Sequence, residues 1–321
     1  MKLIKPSFTI IEQGTGIEGV YKQIELAGRT CYKSEDKITE TSAKEFVDRM
    51  IKSGHGAMLE HGTVYLYMRY DSNQEGNCYI WDDQTDRHYD PYVVKYSNNT
   101  HSKVHYDNDY NAYITTNLRV LVENKWMDDL SYMCEPTKYH EKRITVKFTC
   151  DRGVTHEFVR HRVFSFAQES TRYCNYLKDK FGSEVTFILP PWVDVSDPSI
   201  IDYRTFCEDE WGECLAEYYY KWSEKGLQEG LVTNNTRTFL TALEHSEKLY
   251  FSLVSNGWKA QEARAVLPNA VKAELVMTGF MEDWKHFFHL RCASSAHPQA
   301  RELAQPLEQE FINRNYICGT K

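Results

Sequence analysis

The stretch RHRVFSFAQESTRY, Arg160 to Tyr173, sets three residues able to carry positive charge side by side and follows them with a hydroxyl, Ser170, and a further cation, Arg172. The chain around it carries a formal net charge of -8, so this local cluster calls for a specific anion rather than a broad basic face. Three adjacent cations are also what a solvated helix face shows. The residues that follow argue for more, because Ser165, Gln168 and Ser170 interleave with Phe164, Phe166 and Tyr173. Guanidinium forks match phosphate bidentately, and hydroxyl and amide groups read a base edge. No basic track continues beyond the run, so a small phosphorylated ligand fits better than a nucleic-acid strand.

The rest of the composition bounds the molecule. A chain of 321 residues with 41% hydrophobic and 26% charged residues has the make-up of a soluble globular protein of one large domain or two smaller ones. Its 22 Tyr suit half-buried surfaces and subunit interfaces. The start, MKLIKPSFTIIEQ, has no signal-peptide pattern and no apolar run approaches membrane-spanning length, so the expectation is a cytoplasmic protein that binds neither membrane nor nucleic acid. Nine Cys without a C-x-x-C pair point to reduced thiols, and Cys207 and Cys214, seven apart on a predicted helix, to packing.

Outward from the opening run, RGVTHEFVRHR reads as a short helix with Val154 and Phe158 four apart and Arg160 to Arg162 near its C-terminal end. Residues 7–12, 63–70 and 144–149 alternate as strands. Residues 19–32 form a predicted helix with Val20, Ile24, Ala27 and Cys31 on one face. A second helix follows, capped by Thr41 or Ser42, with Ser42 and Glu45 as a capping box, Phe46, Val47, Met50 and Ile51 as its stripe and Gly54 as its end. Residues 71–113 show little apolar periodicity and read as a long loop, after which TNLRVLVEN and KWMDDLSYM read as a strand and a short helix. ILPPW (188–192) breaks the chain. The remainder reads as helical: 205–226, 245–257, KAQEARAVLP, KAELVMTGFMEDWKHFFHLR and QARELAQPLEQEFIN.

Two motifs compete with the opening run. GTGIEG, with Gly14, Gly16 and Gly19, matches a dinucleotide fingerprint and makes a Rossmann-type NAD-dependent oxidoreductase the alternative, but KSEDKITETS supplies no second strand ending at Glu35 or Asp36. A glycine turn is the simpler reading. HGAMLEH, His55 to His61, has the residue types of a zinc site but neither of the helical zinc-hydrolase spacings. Glu282, His286 and His289 recur at i, i+4 and i+7, and a solvated or ligand-facing helix explains them without a metal. No metal site is expected.

Arg160, His161 and Arg162, then seven residues, then Ser170, resemble the R-H-R-x7-S signature of the flavin-dependent thymidylate synthases. Other segments agree in order. HGAMLEH resembles the family's H-x4-E-H, EARAVLP its A-R-x-V-L-P, and MTGFMEDWKHFFHLR its M-T-G-N-x-x-x-W-x-H-F-x-x-L-R. The resemblance covers about 1–70, 144–192 and 246–305. It implies an α+β fold, a mixed α/β core with an antiparallel sheet flanked by helices, in a single domain over 1–321 carrying an insertion at about 71–143 and an extended helical region at about 195–245. It also implies reductive methylation of dUMP to dTMP, with methylenetetrahydrofolate as carbon donor, FAD as the flavin and NADPH as reductant, in a homotetramer with shared active sites.

Carried over position by position, the resemblance places Arg160, His161, Arg162, Gln168, His286 and Ala57 at FAD and His55 at the folate pocket. It places Glu157, Arg160, Gln168, Glu169, Ser170, Thr171, Arg172, Arg264 and Arg291 at dUMP. The reaction needs C5 of the pyrimidine made nucleophilic, and a guanidinium at the ring edge stabilises the developing enolate-like charge. Arg291 is assigned that catalytic role. Ser170, with only His161 as a conceivable base, is assigned to binding.

The chain departs from the pattern at Phe280, where the family run has Asn, at Ala57, where a hydroxyl is common, and in AHPQAR (296–301), which keeps only Ala296 and Arg301. The first two changes remove polar groups that the pattern brings to the flavin and leave open a non-catalytic nucleotide-binding relative. The insertion and the 195–245 region are expected to cap the folate entrance or to enlarge a subunit interface.

Overall fold

A computed structural model describes residues 1–69, 80–82, 87–89, 91–107, 111–172, 176, 183–193, 200–202 and 234–317. Its strands are β1 Lys2–Ile4, β2 Ser7–Ile11, β3 Thr63–Arg69, β4 Ile80–Asp82, β5 Arg87–Tyr89, β6 Lys103–Tyr106, β7 Asn111–Asn117, β8 Arg143–Asp151, β9 Ser165–Gln168, β10 Thr186–Ile188, β11 Ile200–Asp202 and β12 Lys272–Phe280. Its helices are α1 Gly16–Tyr32, α2 Ser42–Ser53, α3 Gly56–Leu59, α4 Pro91–Ser97, α5 Leu118–Glu123, α6 Arg152–Phe158, α7 Asn234–Ser255, α8 Ala260–Ala263, α9 Met281–Arg291 and α10 Pro298–Asn313.

The centre is a four-stranded sheet in the order β2-β8-β12-β9, antiparallel throughout. Side chains alternate across β12, so Leu275 and Met277 face one layer while Val276 faces the other. On the first side α6, α9 and α10 bury Phe158, Trp284, Phe287, Phe288 and Phe311 against Val146 and Phe148. Each such ring removed from water contributes up to about 3 kcal/mol, and the Trp284 indole donates to the Ile144 carbonyl at 3.1 Å. On the second side α1 and α2 pack Val20, Ile24, Phe46 and Val47 together with Leu66 and Ile114 of a second antiparallel sheet, β3-β7-β6. A third cluster joins the β10-β1-β11 sheet to α7 through Leu3, Phe187, Leu243 and Tyr250. An antiparallel sheet with helices on its faces is the α+β arrangement expected.

Several elements differ from the sequence reading. KAELVMTGF is not helical. It is the long strand β12, buried on both faces and therefore without period-two alternation. TNLRVLVEN is not a strand either, since the strand is NAYITTN and LRVLVE turns into α5. The Asn117 side chain starts that helix by accepting from Val120 N at 3.2 Å. Within 71–113, β4, β5, α4 and β6 form where a loop was read. The Ser42–Glu45 capping box is absent because Ser42 lies inside α2, its hydroxyl donating to Glu25 and accepting from Thr39 N. Gly54 does end α2, at φ 72. The stretch 205–226, with Cys207 and Cys214, lies outside the described residues.

The GTGIEG loop leads into α1, but β2 pairs antiparallel with β8, and α1 is followed by a 3-10 turn, Glu35–Lys37, in place of a parallel strand. The βαβ unit required for a Rossmann site is therefore missing. What the glycines provide is a close approach: a Cβ on Gly19 would sit 1.9 Å from the Gly14 carbonyl oxygen. No described helix is long and apolar enough to cross a membrane.

Candidate active site

Helix α6 begins with Asp151 accepting from Val154 N at 2.7 Å and is held to α10 through Gln299, which donates to the other Asp151 oxygen. It ends at Phe158, so Arg160 to Arg162 lie in the turn just beyond it rather than on its last turn. The turn splits the triplet. Arg160 and Arg162 project outward, while His161 is 6% exposed and packs against Phe164 and Phe287.

His161 meets Arg291 at the end of α9. Arg291 Nε donates to His161 Nε2 at 2.9 Å, one terminal nitrogen donates to Glu157 Oε2 at 2.8 Å, and the other to the Glu157 carbonyl. Glu157 also holds Arg160 at 3.4 Å. The hydrogen bond from Arg291 draws the Glu157 carboxyl below its usual range. Burial first, then the Arg291 and His286 charges, push His161 down to about 4. His161 is therefore a neutral acceptor with its proton on Nδ1, and the triplet carries two cations, not the three its sequence allows. The same bond occupies the nitrogen a Ser170 base would need. His286 is exposed one ring away, 6.2 Å from His161.

Gln168, at the end of β9, donates to Thr155 Oγ1 on α6 at 2.9 Å, which links the triplet to the loop that follows. In that loop Ser170 N donates to the Cys31 carbonyl at the end of α1, and Thr171 Oγ1 accepts from Arg264 at 2.8 Å. Arg172 is exposed, and its charge acts on the Cys31 thiol. Glu169 is the exception: it turns inward onto Lys272. His55 and Ala57 are exposed on and beside α3, where His55 Nδ1 meets the Tyr32 hydroxyl at 2.9 Å. The contacts thus gather the candidates into two groups, one around Arg291 and one around the Ser170 loop and the end of α1.

Beside the first group a cleft of about 500 Å³ is lined by Glu157, Arg160, His156, His297 and Trp192. Trp192 is 58% exposed, with its ring edge-on to His297. Sequence reading found neither Thr155, Trp192 nor Lys272, since no local spacing marks a residue whose partner is distant in the chain.

The rest of the HGAMLEH segment is structural. His61 is fully buried, bonds Thr278 at 2.8 Å and is pushed down to about 3 by burial and the nearby Arg143 charge. Glu60 pairs with Arg119. Phe280 occupies the start of α9, its ring near Arg143 and Lys103 at 5.5 and 5.6 Å. An Asn there would cap the helix. With Phe, Asp283 reaches back to Phe280 N at 2.9 Å. Among the described residues the Arg301 side chain donates to the Ser294 carbonyl, and Glu282 pairs with Lys285.

The family model described as thymidylate synthase complementing protein matches residues 100–314. The flavin-dependent thymidylate synthase of Pyrococcus furiosus is 28% identical over 168 residues, 52% of this chain and 53% of that protein. The one from Corynebacterium glutamicum is 22% identical over 296 residues, 92% of this chain and 76% of that protein. The chain thus spans about half the length of the Pyrococcus relative. Among solved structures, a UMP/dUMP methylase, PolB from Streptomyces cacaoi bound with 5-Br dUMP, is similar with a TM-score of 0.39 and 16% identity, over 98% of this chain and 93% of that one. That likeness is too distant to inform the site.

Proposed function

The chain belongs to the thymidylate synthase complementing protein family, and on that premise we propose that it is a flavin-dependent thymidylate synthase, converting dUMP to dTMP with methylenetetrahydrofolate as carbon donor and NADPH as reductant. The observation that carries the reading is the Arg291 guanidinium, held by Glu157 and neutral His161 beside an exposed Arg160.

The donor set fits a flavin dinucleotide. Arg160 and Arg162 are exposed cations, and Arg162 has no carboxylate partner among the described residues, so the pair matches a diphosphate. With Gln168, His286 and the backbone at Ala57, they would hold FAD. When bound, it supplies the redox chemistry of the reaction.

Roles for the chain's own groups follow from their contacts. Arg172 and Arg264, with the Ser170 and Thr171 hydroxyls, bind the dUMP phosphate. Glu157 and His161 aim Arg291, which faces the pyrimidine edge and stabilises charge developing there. Removing one such oriented donor costs about 3 kcal/mol. His161 serves this role because it is neutral: an imidazolium at 2.9 Å would repel the guanidinium. His55, paired with Tyr32, offers a ring to the folate. The two groups of contacts accord with active sites completed between subunits of a homotetramer. The 71–143 and 195–245 regions would serve that interface or the folate entrance.

The test is anaerobic dTMP formation by the FAD-loaded chain with dUMP, methylenetetrahydrofolate and NADPH. Formation of dTMP that depends on flavin supports the reading. Binding of dUMP and flavin without dTMP favours a non-catalytic relative and overturns it.

A further inference from the structure

Glu169 stands inside the run SFAQESTRY, yet its side chain is 3% exposed. One carboxylate oxygen accepts from Lys272 Nζ at 2.7 Å and from Glu274 N at 3.1 Å, and Glu169 N donates back to the Glu274 carbonyl at 2.8 Å. The Glu274 carboxylate accepts from Lys33, with Lys147 at 3.7 Å and Lys272 at 3.8 Å. Lys33 caps the end of α1, two residues past the Cys31 carbonyl that accepts from Ser170 N. The loop is therefore fastened to α1 twice, by a backbone bond and through a run of alternating charge.

The charges support one another. Lys272 and Lys33 hold the Glu274 carboxyl below its usual range against burial, and the Glu169 and Glu274 charges raise Lys33. A pair this enclosed adds little net stability over a hydrophobic substitute, but removing one partner leaves the other charge uncompensated. What such a network offers is a fixed geometry.

From this geometry we infer that Glu169 is a positioning residue and not a nucleotide contact: the Lys272–Glu169–Glu274–Lys33 network sets where Ser170, Thr171 and Arg172 present their donors to the nucleotide phosphate. The inference rests on the reading of that loop as the dUMP site. It gives Lys33, Lys272 and Glu274 a part in substrate affinity though none of them belongs to the loop.

Equilibrium dialysis of dUMP and steady-state kinetics on the FAD-loaded full chain test it, with Lys272→Met, Lys33→Met, Glu169→Gln and the Lys272→Met/Glu169→Gln double variant. Loss of a charged hydrogen bond should raise the dUMP Kd and KM of the lysine variants about tenfold, with the change in KM rather than kcat. The double variant should be no weaker than its weaker single, because both break one coupled unit. Lys33 lies at the half-buried end, so its variant reads the network even if the Lys272 variant fails to fold. Unchanged dUMP affinity in Lys33→Met, or additive losses in the double variant, overturns the inference. If the unmodified chain binds no dUMP, the reading of the loop falls, and the inference with it.

Discussion

Arg291 and His161, 130 positions apart in the chain, meet through a 2.9 Å hydrogen bond in which the guanidinium donates and the imidazole accepts. The bond sets the His161 tautomer, and Glu157 takes one N–H from each terminal nitrogen, which leaves the second N–H of each for a ligand. A cation held on three sides in this way loses little freedom when it acts on a ligand.

Glu157 is expected to matter through Arg291. Glu157→Ala should lower kcat/KM for dUMP by about ten- to a hundredfold, the range of a lost charged hydrogen bond. Glu157→Gln, which keeps an acceptor, should lose less. Steady-state kinetics check this, and two variants indistinguishable from the unmodified chain would show that Glu157 does not orient Arg291.

Acid should destabilise the fold earlier than carboxylate titration alone predicts. His161 and His61 are pushed down to about 4 and about 3, and burial lowers His140 as well. A depressed histidine binds fewer protons folded than unfolded, so its contribution is complete above the ordinary histidine value near 6.5 and fades as pH falls toward the folded value. Asp151, Asp283 and Glu302, raised by burial, act in the opposite direction but nearer their own lower range. Urea midpoints should therefore fall between pH 7 and pH 5. A flat profile would mean that these histidines charge freely in the folded protein.

Gly19→Ala should destabilise the fold by about 3 kcal/mol, the upper end of overpacking costs, because the new Cβ meets backbone rather than a flexible side chain. Urea denaturation measures the loss. Flavin and dUMP binding by the folded fraction should be unaltered, whereas a dinucleotide site in this loop would make nicotinamide affinity collapse.

The candidate site stood out in the sequence more than the sheet did. The run from Arg160 to Arg172 and the segment ending at Arg291 combine cations, hydroxyls and amides at fixed spacings, and such patterns survive without knowledge of the fold. The strand β12 did not show itself, because Lys272 to Phe280 is rich in helix-favouring Ala, Glu, Leu and Met and is covered on both faces. Packing between β8 and β9 decides its state, and propensity does not. Val120 and Val122 misled in the other direction, since the Asn117 cap and burial of Leu118 and Leu121 make that segment a helix. The inward turn of Glu169 was equally hidden, as its partner Lys272 lies 103 positions away.

The most direct measurement of the central claim is the single-turnover rate of dTMP formation by Arg291→Ala at saturating dUMP, compared with the unmodified FAD-loaded chain. Loss of about 3 kcal/mol of charge stabilisation predicts a rate at least about a hundredfold lower with flavin absorbance retained. An unchanged rate would contradict the assignment of Arg291 as the group that activates the pyrimidine.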